Sequence, residues 1–169
     1  MKIQTVKIED ISQDPANVRK HSERNLAAIV ASLRKFGQQK PIVVNADGII
    51  LAGNGTYEAA RRLGWDKIDV VRSNLKGSDA TGFAIADNRT AELAEWDETA
   101  LAETLRALQS EEFDVEAAGW QEDEIDALLT RLGNAAIVPD FQPGSIDDQG
   151  RLDEKAKVIC PECHHEFTP

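Results

Sequence analysis

Two short runs of residues have types and spacing that can do chemistry. In the first, Ile49-Ile50-Leu51-Ala52 is an apolar, β-branched stretch that leads through Gly53-Asn54-Gly55 into Thr56 and a helical pattern. Glycine lets a backbone turn sharply, and the free N–H groups at a helix start attract an anion. Thr56 adds a hydroxyl donor. The spacing is neither a Walker loop nor a dinucleotide fingerprint, because Thr-Tyr-Glu follows the second glycine and no third glycine comes after. The same residues also fit a tight strand-to-helix connection with no ligand. In the second run, Cys160-Pro161-Glu162-Cys163 is followed by His164 and His165. Two thiolates at this spacing reach one tetrahedral zinc ion, which needs four ligands in a closed site. Neighbouring histidines in so tight a loop rarely both turn to one metal, so a second copy of the chain would complete the site. Free thiols in a tail, or a redox C-x-x-C pair, are the other readings.

The elements that must position these residues follow from pattern. Residues 2–8 alternate as an imperfect strand, and Gln13 to Asn17 reads as turn chemistry. Ser22 caps a helix whose apolar stripe is Leu26, Ile29, Val30, Leu33 and Phe36, closed by Gly37. Pro41 to Val44 and Ile49 to Ala52 form a hairpin about Asp47-Gly48. Thr56 to Leu63 is a helix ended by Gly64, and Lys67 to Val71 is the next strand. The front is therefore expected to be an α+β domain over residues 1–76, with a mixed sheet and helices. Residues 77–133 read as a helical extension. Its first helix starts at Ser78 and ends or bends at Asp87-Asn88, because Asp and Asn favour caps and turns. Asp97 caps a second helix, and Glu122 to Leu132 is a third, closed by Gly133. Tyr57, Trp96 and Trp120 are expected to be packed. Residues 134–157 read as a linker and 158–169 as a zinc-knuckle-like tail. No helix-turn-helix stands out.

Charge divides the same way. The 169-residue chain carries a net −11. Residues 1–76 hold 13 Lys and Arg against 8 Asp and Glu, a net of +5; residues 77–169 hold 6 against 22, a net of −16. A basic front keeps a phosphate-bearing ligand in play, whereas the acidic back opposes nonspecific nucleic-acid binding. No apolar run reaches about 18 residues, and no apolar segment opens the chain, so no membrane span is expected and a cytoplasmic location is. Two cysteines three residues apart exclude a disulfide-stapled fold.

The order of boxes adds a resemblance. Asp14-Pro15-Ala16-Asn17-Val18-Arg19, Phe36-Gly37-Gln38, Pro41 to Val44, Gly48 to Gly53 and Glu58 to Gly64 together resemble the N-terminal domain of the ParB partition family, in the ParB/sulfiredoxin superfamily, over about residues 3–95. The segments Ile85 to Asp97 and Gly119 to Leu129 look closer to a phage and mobile-element subgroup that precedes or travels with a DNA methyltransferase. The resemblance implies a magnesium–nucleotide site formed by Arg19, Gly53, Asn54, Gly55, Thr56, Asp87 and Asn88. Arg19 matches the first-box arginine, and Asp87-Asn88 sits where the family carries a Glu-Asn pair for metal and water. Carboxylate and amide oxygens suit magnesium. Asn54, Gly55 and Thr56 stand where the family has Glu-Arg-Arg, so triphosphate binding is expected to be weak or absent: Arg holds phosphate bidentately and Thr does not. No cysteine lies in the turn, which excludes sulfiredoxin chemistry. The implied function is a DNA-associated accessory protein, with DNA, a methyltransferase or a second copy of the chain as partner. A nucleotide hydrolase or nuclease, and a protein-binding adaptor, are the alternatives.

Overall fold

The computed structural model describes residues 2–135, 158–159 and 166–167. Five strands among them form one mixed sheet in the order β1-β5-β3-β4-β2. β1 (Ile3–Lys7) runs antiparallel to β5 (Lys67–Arg72), with Ile3 opposite Val71. β5 runs parallel to β3 (Ile42–Val44), with Val43 opposite Val71. β3 pairs antiparallel with β4 (Ile49–Ala52), and β4 parallel with β2 (Ser12–Gln13). β2 ends at Gln13, where the sequence pattern begins to read as turn. It is two residues long, too short for any period to show.

The core forms where strand alternation meets two helical stripes. Val44, Ile50 and Val70 point inward with at most 1% of their surface exposed. α1 (Glu23–Phe36) and α2 (Asn54–Arg62) pack on one another and on this layer. α1 begins as expected, with the Ser22 side chain accepting from Asn25 N–H and Gly37 at φ +69° closing it. Ala59 and Ala60 of α2 are fully buried, small enough to let the helix lie close to its neighbours. Tyr57 is packed beside them, and its hydroxyl donates to the Ile11 carbonyl at 3.3 Å.

α3 differs from expectation. It runs Gly77–Glu92, four residues past the expected break at Asp87-Asn88, and its cap position is Lys76 rather than Ser78. Asp87 and Asn88 sit inside it. The Asn88 amide donates back to the Ala84 carbonyl at 2.8 Å, which satisfies the side chain without ending the helix. α4 (Glu98–Ser110) is capped by Asp97 as read, through Ala100 N–H. α5 spans Glu122–Ala135, so Gly133 lies within the helix and does not close it. A 3-10 turn, Val115–Ala118, joins α4 to α5. These pieces share a second core of Ala102, Leu105, Val115, Ile125 and Leu128, against which Trp120 packs. Arg131 of α5 donates to both carboxylate oxygens of Glu98, at 2.7 and 3.2 Å. The cluster docks on α1: the 3-10 turn packs on that helix, Phe36 stacks on Phe113 at 6.2 Å, and Arg24 pairs with Glu124. Trp96 is not packed; it is 71% exposed in the link between α3 and α4.

The chain divides into two units, Met1–Gly133 and Asn134–Pro169. In the second, β6 (Val158–Ile159) pairs antiparallel with β7 (Glu166–Phe167). Cys160, Cys163, His164 and His165 lie outside the described residues. No helix among the described residues is long and apolar enough to cross a membrane.

A cavity at the N-terminus of α2

β4 delivers the chain to Gly53, which adopts φ +100°, ψ 25°, a left-handed conformation open to glycine at little strain. A Cβ there would also come within 3.1 Å of the Ile42 side chain. The turn aims the start of α2 into a cavity of about 480 Å³. The first N–H groups of a helix lack intrahelical partners, so those of Asn54, Gly55 and Thr56 open the positive end of α2. Gly55 is closely packed: a Cβ would stand 2.8 Å from both His21 Cε1 and Ile29 Cδ1, so both side-chain ends would have to move aside. Asn54 Oδ1 is buried with no hydrogen-bond partner. An unpaired buried acceptor is costly, and this one is closed off from solvent at the start of α2.

Two other elements complete the walls. The loop after β2 contributes Asp14, Asn17 and Arg19, and it is held by its own side chains: Asp14 Oδ1 accepts from Ala16 N–H at 2.8 Å, and Asn17 Oδ1 from Arg19 N–H at 3.0 Å. α3 contributes Thr81, Ala84, Ile85, Asp87, Asn88, Arg89 and Glu92. These positions recur at helical spacing, so one face of α3 looks onto the cavity. Glu92 pairs with Arg19, and its second oxygen accepts from Arg89 at 3.4 Å. The Arg19 hydrogen bond, followed by its charge, lowers the Glu92 pKa below the ordinary carboxylate value.

Every residue expected at a nucleotide site therefore lines this one cavity: Arg19, Gly53, Asn54, Gly55, Thr56, Asp87 and Asn88. Sequence reasoning missed Glu92 and Arg89. The signal was present, since Glu92 lies four residues after Asn88 and shares its face once the helix continues. It missed His21 as well, whose Nδ1 lies 2.7 Å from Asn25 Oδ1. Arg62, a second cation near the turn in sequence, is engaged elsewhere, with Glu23 at 2.8 and 2.9 Å and with Glu58 at 3.3 Å.

The donor set suits a magnesium–phosphate group. Asp87 offers carboxylate oxygens, Asn88 keeps its amide oxygen because its nitrogen is the atom bonded to Ala84, and the helix start offers N–H groups.

A five-stranded mixed sheet with a cavity at a strand–glycine–helix turn defines a ParB/sulfiredoxin-type α+β fold. The ParB N-terminal domain family matches residues 1–89, and the chain belongs to it. A second family, the ParB-methyltransferase HTH domain, matches residues 99–162. No helix-turn-helix stands out in the sequence pattern, and this match assigns one to that stretch. It covers α4 and α5, whose dominant sequence feature is acidity, and it extends across the segment read as a linker. Among curated proteins, the ParB-like nuclease domain-containing protein YnaK of Escherichia coli (strain K12) is 33% identical over 64 residues, which cover 38% of this chain and 74% of that protein. Among solved structures, the C-terminally truncated chromosome-partitioning protein ParB from Caulobacter crescentus, complexed with CTP-gamma-S, aligns over 82% of this chain and 88% of its own. The TM-score is 0.64 at 19% identity. Sulfiredoxin from Arabidopsis thaliana aligns over 46% of this chain and 88% of its own, at 28% identity and a TM-score of 0.40.

Proposed function

We propose that this chain is a cytoplasmic, DNA-associated accessory protein of phage or mobile-element type, and that a phosphate-bearing ligand, with magnesium, occupies the cavity at the start of α2. One observation carries the reading: three boxes far apart in sequence, at Asp14 to Arg19, Gly53 to Thr56 and Asp87 to Glu92, converge on one cavity. Bound there, magnesium would neutralise phosphate charge. Asp87 and the Asn88 oxygen would hold it, the α2 N–H groups and Thr56 would orient the phosphate, and Arg19 would supply positive charge. The site is a degenerate version of a triphosphate site, because Thr56 is uncharged where the family has arginine.

Titration with CTP and ATP in the presence of magnesium tests this. Binding should be weaker than the low-micromolar range (about 8 kcal/mol). Arg19→Ala and Asn88→Ala should each abolish what binding there is. Low-micromolar affinity, or affinity unchanged in both variants, would overturn the assignment. For DNA, a mobility-shift assay at two salt concentrations is the measurement: binding through a few phosphates falls as salt rises.

A nuclease or nucleotide hydrolase is the second reading, favoured by Asp87 and Asn88 facing the phosphate-binding turn and by the name of the YnaK relative. A protein-docking role is the third, favoured by charge. Residues 99–162 carry 15 Asp and Glu against 5 Lys and Arg, so this segment repels DNA phosphates on average and suits a basic partner such as a methyltransferase surface. For the tail, Cys160 and Cys163 with His164 or His165 are proposed to hold one zinc, completed across a homodimer; β6 and β7 pair on either side of that segment. Metal analysis of wild type against Cys163→Ser should give about half an equivalent or more only in wild type.

A further inference from the structure

The cavity wall holds two guanidiniums, Arg19 and Arg89, and three carboxylates, Asp14, Asp87 and Glu92. Glu92 is placed on both cations, one oxygen to each. An anion reaching Arg19 must therefore share it with Glu92 or displace that carboxylate. A displaced Glu92 would stay in the same cavity without its partner, beside the incoming charge. That cost rises with each added phosphate, because every further negative charge meets the same carboxylate. We propose that Glu92 is a specificity-determining residue that restricts the cavity to phosphate groups of low charge, such as a phosphate monoester, and disfavours polyphosphates. This rests on the reading of the cavity as a phosphate site.

Charge number is separable from base identity, so inorganic phosphate and tripolyphosphate serve as probes, titrated at constant ionic strength into wild type, Glu92→Gln and the double variant Glu92→Gln/Arg19→Ala. Glu92 and Arg19 are 41% and 45% exposed, so none of these changes opens the core. Wild type is expected to bind phosphate at least as well as tripolyphosphate. Glu92→Gln should tighten tripolyphosphate by about tenfold and phosphate by about threefold or less. The double variant should lose that gain. If wild type binds phosphate and Glu92→Gln leaves both affinities unchanged, or raises them equally, the role of Glu92 is wrong and the cavity assignment stands. A gain that persists without Arg19 overturns the proposal too, since it would reflect net charge alone. If no protein of the three binds either probe, with or without magnesium present, the cavity is not a phosphate site and both readings fall.

Discussion

α2 and α3 face each other across the cavity and are held in different ways. Four of the nine residues of α2 are buried, and its small side chains let it sit against the sheet. α3 has sixteen residues and none is buried. Its apolar side chains are divided between faces, with Ile85 53% exposed at the cavity mouth and Leu93 63% exposed just after the helix. Packing fixes the wall that carries the glycine turn. The wall that carries Asp87, Asn88 and Glu92 rests on a narrow contact with β4 and on the Arg19–Glu92 pair. Low burial puts α3 at the low-stability end of the molecule. Half of the site is thus preorganised, and the other half is a helix that charge can hold or release.

The largest test of this contrast compares two isoleucines. Ile50 is 1% exposed beneath the α2 turn. Ile50→Ala should cost about 2–5 kcal/mol by removing packed atoms and leaving a cavity. Ile85→Ala on α3 should stay within about 0.5 kcal/mol. Denaturant unfolding of both variants decides it; a cost above about 2 kcal/mol at Ile85 would mean that α3 is packed as firmly as α2. A smaller effect is expected at the turn. Gly53→Ala places a Cβ on a left-handed backbone and against Ile42, for about 1–3 kcal/mol. An unchanged melting temperature would show that the turn relaxes freely and is not the rigid half.

How legible these two walls were from sequence differs for the same reason. Ser22, Gly37, Gly48, Gly53 and Gly64 could be read as caps and turns because each solves a local problem of dihedral or hydrogen bond. Val44, Ile50 and Val70 could be read as core because strand alternation is imposed by burial. α3 has no apolar stripe, so its end could not be found from periodicity. Asp87-Asn88 looked like a break because the satisfaction of Asn88 by Ala84 appears only once the helix exists. Trp96 was expected to be buried from its size, yet it is 71% exposed in the link between α3 and α4. The Arg19–Glu92 pair spans 73 positions, a separation at which sequence pattern is silent. The site residues on the turn were legible; their counter-charge was not.

Capping sharpens the comparison at smaller scale. α1 has a side-chain cap in Ser22, whereas α3 has none at Lys76, although that residue has the extended backbone a cap requires. Lys76→Asp should therefore stabilise α3 by about 0.5–1 kcal/mol, by accepting free N–H groups and by placing negative charge at the helix start. Slower amide hydrogen exchange within residues 78–92, with α1 unchanged, is the expected readout. Exchange that slows equally in both helices would mean that α3 opens only with the whole fold.

The smallest effect concerns pH. Arg19 lowers the pKa of Glu92 below its ordinary value of 4.5 in the folded chain. A carboxylate depressed by folding contributes stability that is fully present above its unfolded value and is lost as pH falls through the folded value. The pin on α3 should thus be intact at neutral pH, remain so through the ordinary Glu range, and release only below it. The group is solvent-exposed, so screening keeps its share of global stability small. The readout must be local: the Glu92 side-chain carboxyl followed by NMR titration, together with amide shifts at the C-terminal end of α3. Both should move together, with a midpoint below the ordinary glutamate value. In Arg19→Ala the Glu92 midpoint should rise toward the ordinary value. A midpoint at the ordinary value in wild type would mean that the pair does not persist in solution and does not pin α3.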